Sequence, residues 1–323
     1  MSKHREALFN EIKGSLFEYL VAQELSTRYD SELAFLRALP AHYQAVLNQQ
    51  DRMTRELYPE LVEMLPLWSK QAADGFQKIF PSLKVTGLEL TGQLGHTPDE
   101  RRETDFVLQT SSGALPVSLK LNKRASSVNT KSGGIKSFLT EYFPGEVASR
   151  EQATLSLLVD TAFAGLHSEL HEVAGIAASE GWDDWRRQGL SELPGELPPE
   201  LSQRLHKFYA VLSKQLRASL QQVAKASPQV FQQGLLRLVG MGLADLVQVI
   251  CFHELHGKTP QQSLVLVHQM PEVIDRIQAV EWLPEKDVSS FSLGLKDWEL
   301  HVRIKPMNKF TTTAIKINCA VKY

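Results

Sequence analysis

The residues whose types and spacing could do chemistry lie between Glu103 and Lys136. Asp105 opens an apolar run, Phe106-Val-Leu108, and Lys120 stands towards the end of a second, Val117-Ser-Leu-Lys-Leu121. Ser111-Ser-Gly113 separates the two runs, so together they read as a β-hairpin. In strict alternation Ser118 and Lys120 share one face of the second strand, while Val117, Leu119 and Leu121 take the other. A carboxylate and an ammonium group on the open side of an apolar sheet suit a divalent cation and the charge that develops when a phosphodiester is split.

This stretch resembles the core of the PD-(D/E)xK nuclease superfamily, particularly its type II restriction endonuclease branch. The resemblance covers roughly the first half of the chain by pattern and only a few residues by identity. It implies an Asp and an acidic-x-Lys pair on adjacent strands that bind Mg²⁺ and activate water. Asp105 matches the motif aspartate and Lys120 the motif lysine; Ser118 departs, standing where the family usually has Asp or Glu. Pro98-Asp99 is a literal competitor, but it lies in the polar run His96–Arg102, which reads as a loop.

In some relatives of this kind an acid from elsewhere fills the missing role. Lys13-Gly-Ser-Leu-Phe-Glu18 fits the family's N-terminal helix, whose Glu reaches the metal. The implied metal ligands are therefore Asp105 and Glu18, with Glu103 in reserve, because a hard divalent cation needs oxygen ligands. Ser118 would hydrogen-bond a ligand or a metal-bound water. The resemblance implies a Mg²⁺-dependent endonuclease of restriction or phage-defence type, with Mn²⁺ able to substitute. Its substrate would be double-stranded DNA, cut by a homodimer, with a methyltransferase as partner in the same system. Ser118 also favours an alternative: a catalytically silent nucleic-acid-binding protein on the same fold. A nuclease acting on RNA or single strands is a further alternative.

Composition narrows the setting. The chain has 323 residues, 43% hydrophobic and 22% charged, enough for one large domain or two smaller ones. No run approaches the ~20 apolar residues that span a bilayer, and Met1–Glu6 carries no apolar core of a signal peptide. Two cysteines, Cys251 and Cys319, give no disulfide framework, so the expected setting is the cytoplasm. The net charge of −2 excludes a bulk polycation, yet charge is locally uneven. Val117 to Lys136 holds five basic residues and no acid; Lys296 to Tyr323 holds six against two.

The first basic stretch follows the motif lysine as a polar, glycine-rich loop, and its Asn122, Lys123, Arg124, Ser127, Asn129 and Lys131 suit phosphate oxygens. Its spacing does not match a P-loop. In the second, Trp298 to Ile304 and Ile315 to Val321 alternate apolar and polar residues and predict a hairpin. His301, Arg303, Lys305, Lys309 and Lys316 would form its cationic outer surface, shaped to lie along a DNA groove.

Other elements must hold these in place. Phe9, Ile12, Leu16 and Leu20 predict a helix over about 5–27, with Gly14, Glu18 and Ala22 as a second row that packs closely on the sheet. Helices broken at Pro40, Pro59 and Pro66 fill 31–80, and Leu83–Leu90 is the first strand. A helix is predicted over 135–143, another over 151–178, and long ones after the Pro/Gly-rich stretch near 189–200, including a buried one over 231–252. His167-Ser-Glu-Leu-His171 lacks the Glu that a zincin needs after its first His, and Cys251, His253 and His256 have no second ligand pair nearby. The expected fold is α/β (mixed α+β), a restriction-endonuclease-like central mixed sheet flanked by helices, with a helical insertion and a C-terminal β-hairpin. Its divisions would be a nuclease core at 1–150, a helical region at 151–260 and a β-rich DNA-contacting region at 261–323.

Overall fold

Alternating and continuous apolar runs both become strands here, and they build two separate sheets. The computed structural model describes residues 3–91, 103–123, 127–177, 181–254, 262–284 and 289–323. In chain order these form α1 (Lys3–Arg28), α2 (Glu32–Ala38), α3 (Ala41–Leu57), α4 (Pro59–Ile79), β1 (Val85–Leu90), β2 (Phe106–Thr110), β3 (Gly113–Asn122) and β4 (Val128–Gly134). Then come α5 (Phe138–Tyr142), α6 (Glu146–Val173), α7 (Asp183–Arg187), α8 (Pro199–Ala226) and α9 (Pro228–Leu238). The chain ends with β5 (Val247–Phe252), β6 (Leu264–Gln269), α10 (Met270–Gln278), β7 (Val280–Trp282), β8 (Ser290–Leu295), β9 (Trp298–Pro306) and β10 (Ile315–Lys322). The architecture is mixed α/β, with two five-stranded sheets and ten α-helices among the described residues. None of these helices is long and apolar enough to cross a membrane.

The chain divides into two compact units, Met1–Val128 with Met241–Ile274 and Asn129–Gly240 with Asp275–Tyr323. Each is discontinuous in sequence, and the boundaries fall elsewhere than near 150 and 260. The first unit holds the sheet β1-β2-β3-β5-β6. Its β1–β2 and β2–β3 pairs are antiparallel, β3–β5 is parallel, and β5–β6 is antiparallel. Val117, Leu119, Val247, Val249 and Cys251 on one face of this sheet form a core with Ile12, Phe17, Val21 and Ala22 of α1 and Leu65, Trp68 and Phe76 of α4. Fully burying each large side chain of this kind contributes roughly 1.5–3 kcal/mol. α4 approaches β6 closely at Gly75, where a Cβ would stand 2.6 Å from Val265 Cγ1.

The second unit holds the sheet β4-β10-β9-β8-β7. The predicted hairpin is its centre: Trp298, Leu300, Val302 and Ile304 of β9 and Ile315, Ile317, Cys319 and Val321 of β10 are all buried. α6 and α8 pack along each other, and α8 touches β8 and β9. α9 carries Gly234, whose missing Cβ leaves room for the Phe143 ring.

Several expectations are corrected. The buried helix expected over 231–252 is α9, a turn, and then β5; Val247-Gln-Val-Ile-Cys-Phe252 is buried at every position, as a central strand covered on both faces is. The expected loop after Asn122 contains β4, and the helix after it is only the short α5. Pro66 does not break its helix but lies inside α4, where burial of Leu61, Leu65, Trp68 and Ala72 outweighs one lost backbone bond. The Gly14–Glu18–Ala22 row packs tightly only at Ala22, which is fully buried, whereas a Cβ at Gly14 would meet nothing within 4 Å. The Pro/Gly-rich stretch near 189–200 is tied down rather than loose: the Glu192 carboxylate binds Lys309, Thr311 and Arg186, and the Glu192 carbonyl accepts the Phe310 N–H at 3.1 Å.

Candidate active site

β2 begins one residue after Asp105, and both the backbone and the carboxylate of Asp105 bond to β3 just ahead of that strand. The Asp105 N–H donates to the Val117 carbonyl at 2.9 Å, and the Thr91 N–H donates to the Asp105 carbonyl at 3.0 Å. The backbone is thereby held between the end of β1 and the middle of β3. Asp105 Oδ2 accepts the Leu119 N–H at 2.5 Å and the Ser118 hydroxyl at 3.3 Å. The structure thus brings the Ser118 hydroxyl onto Asp105.

Glu18 reaches this point from α1 and Lys120 from β3. Burial pushes the Glu18 carboxyl up to about 8; the neighbouring Asp105 charge pushes the same way and Lys120 opposes it. Burial also raises Asp105, against the pull of Lys120 and of the Leu119 and Ser118 hydrogen bonds. Two carboxyls desolvated side by side cannot both ionise freely, so the pair retains a proton towards neutral pH. Tyr43 of α3 lies within electrostatic reach of Glu18 and is hydrogen-bonded to Ser15.

Glu103 is placed differently. Its Oε2 accepts the Gly242 N–H at 2.7 Å. Among the described residues no three His, Cys, Asp or Glu side chains gather as a metal-holding group, so Glu103 does not join Glu18 and Asp105 in one.

A divalent cation fits the donor set on chemical grounds. Mg²⁺ keeps several waters and is held by one or two carboxylates plus substrate phosphate oxygens, so two carboxylates suffice. Burial raises both carboxyls, and the Asp105 charge raises Glu18 further, a cost that a bound dication would relieve.

The polar environment extends further than the sequence indicated. Ser118 pairs in register with Gln248 of β5, and Gln248 with His268 of β6. All three are buried, at 2%, 1% and 6% exposure, and form a polar row across an otherwise apolar sheet. Gln248 is not among the expected site residues, because a helix over 231–252 gives it no place beside Ser118; the signal in the sequence is a lone Gln inside the apolar run Val247–Phe252.

The expected nucleic-acid contacts divide. In the first stretch, Asn122 Nδ2 donates to the Ser127 carbonyl and Lys123 pairs with Glu254 at 3.1 Å, so both serve the turn after β3. Asn129 is exposed on β4, which also carries Lys131; Arg124 lies outside the described residues. In the second, His301 Nδ1 lies 3.1 Å from the Ser292 hydroxyl, and Lys309 is held by Glu192. Arg303 and Lys305 are exposed and Lys316 half-buried on the polar face of β9 and β10.

The histidine motifs serve packing. His171 Nδ1 lies 2.8 Å from the His167 carbonyl, and both rings sit against Trp182. Cys251 is buried in β5, His253 stacks on Trp68 with ring centroids 4.1 Å apart, and His256 lies outside the described residues. Comparison with family models, with curated proteins and with solved structures finds no match to this chain.

Proposed function

We propose that the chain is a divalent-cation-dependent endonuclease that hydrolyses phosphodiester bonds of double-stranded DNA, of restriction or defence type. The observation that carries this reading is the convergence of Glu18, Asp105 and Lys120. They come from α1, from the residue before β2 and from β3, span about a hundred positions of sequence, and lie close enough that Asp105 and Lys120 act on the ionisation of Glu18 and Lys120 on that of Asp105. A mixed sheet with helices against it, bearing the Asp and the Lys on neighbouring strands, supports the restriction-endonuclease-like fold.

In this reading Glu18 and Asp105 hold Mg²⁺, or Mn²⁺ in its place. An ion held there would supply Lewis-acid chemistry, a lower pKa for water and polarisation of a phosphoryl oxygen. Lys120 places its ammonium group where negative charge develops on the phosphate oxygens. Ser118 and the Leu119 N–H fix the Asp105 carboxylate in one orientation. A homodimer would cut both strands by symmetry.

One observation favours a second reading, a nucleic-acid-binding protein without hydrolytic activity. Ser118 stands at the acid position, and its hydroxyl and the Leu119 N–H both occupy the same oxygen of Asp105. Incubating the purified chain with supercoiled plasmid and Mg²⁺, against an EDTA control, separates the two. Nicked or linear DNA that depends on Mg²⁺ and is lost in Lys120→Ala supports the nuclease. Intact plasmid with retained DNA binding supports the silent protein.

A further inference from the structure

The cations in and around the second sheet fall into two groups. Lys322 is paired with Glu299 at 2.7 Å, Lys296 with Asp275 at 2.7 Å and Arg276 with Asp297 at 3.0 Å; Lys309 is held by Glu192. Arg303, Lys305 and Lys316 have no ion-pair or hydrogen-bond partner among the described residues. They are also neighbours. Lys305 stands directly opposite Lys316 across the β9–β10 ladder, and Arg303, two positions back on the same face, stands opposite Asn318. Residues directly opposite are about 5 Å apart and residues two apart on a strand about 7 Å. Like charges so placed destabilise a ladder, and no ion pair or hydrogen bond among the described residues offsets these.

We propose that Arg303, Lys305 and Lys316 form a docking surface for the phosphate backbone of nucleic acid. A flat array of closely spaced positive charges matches a polyanion that carries one charge every 3.4 Å of axis per strand. Asn318, hydrogen-bonded to Ser132 at 3.0 Å, sets an amide and a hydroxyl beside the array, and such groups commonly contact phosphate and sugar. Within β9 and β10 the array is flanked by His301 and Asn318, and beyond Lys305 by the exposed Met307, a single large apolar side chain where a membrane-surface element inserts several. The arrangement selects three cations from the hairpin and excludes His301, Lys309 and Lys322, which are engaged within the protein. The proposal stands independently of the hydrolytic reading, since it concerns binding alone.

The test is binding of a labelled DNA duplex of arbitrary sequence in EDTA, titrated with NaCl. Arg303→Ala, Lys305→Ala and Lys316→Ala should each weaken binding several-fold and reduce the salt slope by about 0.9, and the triple variant by about three times that. Lys296→Gln, which removes a paired cation of the same sheet, should leave the slope unchanged. A triple variant with the wild-type slope overturns the proposal, as does a wild-type chain that binds anionic phosphatidylserine vesicles but not DNA. Removing mutual repulsion should leave the melting temperature of Lys305→Ala and Lys316→Ala at or above wild type. A fall in either would mean that the lysine has a stabilising partner within the fold, and would also overturn the proposal.

Discussion

The Asp105 carboxylate accepts the backbone N–H of Leu119, the residue that precedes Lys120 in β3. One hydrogen bond therefore ties the position of the carboxylate to the strand that carries the ammonium group. A bond from a backbone donor to a charged acceptor is among the stronger ones, about 1.5–3 kcal/mol. Both this bond and that from the Ser118 hydroxyl go to Oδ2, so in the proposed cation site Oδ1 would be the liganding oxygen.

Lys120→Ala should abolish cleavage with little effect on binding. Removing one preorganised group that stabilises developing charge typically lowers the rate by about 10²–10³-fold. Single-turnover rates and duplex affinity, measured on the same protein, check the split. Full activity in the variant would remove Lys120 from the mechanism.

The Glu18 carboxyl predicts an unusual pH dependence. Its folded pKa is raised, by burial first and then by Asp105, to about 8. Between the ordinary carboxylate value of 4.5 and about 8 the folded chain binds more protons here than the unfolded chain. Stability contributed by this group is therefore whole below about 4.5 and declines as pH rises towards 8. Mg²⁺ should flatten that decline, and its apparent affinity should rise over the same window as the proton leaves. Glu18→Gln should remove the slope in melting temperature and weaken Mg²⁺ binding. A variant that keeps the wild-type pH profile and Mg²⁺ titration would reduce Glu18 to a bystander.

Glu192 behaves in the opposite sense. Its carboxyl is lowered to about 2, chiefly by hydrogen bonds from Lys309 and then Thr311, with Arg186 adding to them. The stability it contributes is present above 4.5 and is lost as pH falls through about 2. Glu192→Gln should lower the melting temperature at neutral pH and show a smaller further loss on acidification than wild type. Thermal melts across pH 2–5 check this, and parallel curves for the two proteins would disprove the role.

Much of the candidate site was legible because period-two alternation is a local signal. Ser118 and Lys120 versus Val117 and Leu119, and Arg303 and Lys305 versus Val302 and Ile304, follow directly from strand geometry. What resisted reading depended on partners distant in sequence. Val247–Phe252 is a strand because β3 and β6 flank it, and a continuous apolar run of that length does not by itself tell strand from helix. β4 pairs with β10 far along the chain, and its Gly/Ser/Lys content carries little strand propensity. β8 carries its own alternation in Phe291, Leu293 and Leu295, a further strand signal that the sequence holds. The pairing of Lys309 with Glu192, which removes one expected DNA contact, joins positions over a hundred residues apart.

Packing in the second unit gives the sharpest mutational contrast. At Gly234 in α9 an added Cβ would fall 2.1 Å from Cδ1 and 2.2 Å from Cε1 of Phe143, a rigid and fully buried ring. At Gly75 in α4 the nearest atom, at 2.6 Å, is a methyl of Val265, which lies at the margin of its core and can turn about χ1. Both substitutions to Ala gain helix propensity, worth about 1 kcal/mol each. At Gly234 the ring must be displaced from a close-packed site, and overpacking of this kind typically costs 1–3 kcal/mol, occasionally more. Gly234→Ala should therefore be clearly destabilising, while Gly75→Ala should fall within about 1 kcal/mol of wild type because gain and cost nearly cancel. Phe143→Leu in the Gly234→Ala background should recover part of the loss, since it removes ring atoms where the new methyl must go. Urea unfolding of the four proteins measures this, and equal midpoints for Gly234→Ala and wild type would mean that the Phe143 ring does not fill the space left by the glycine.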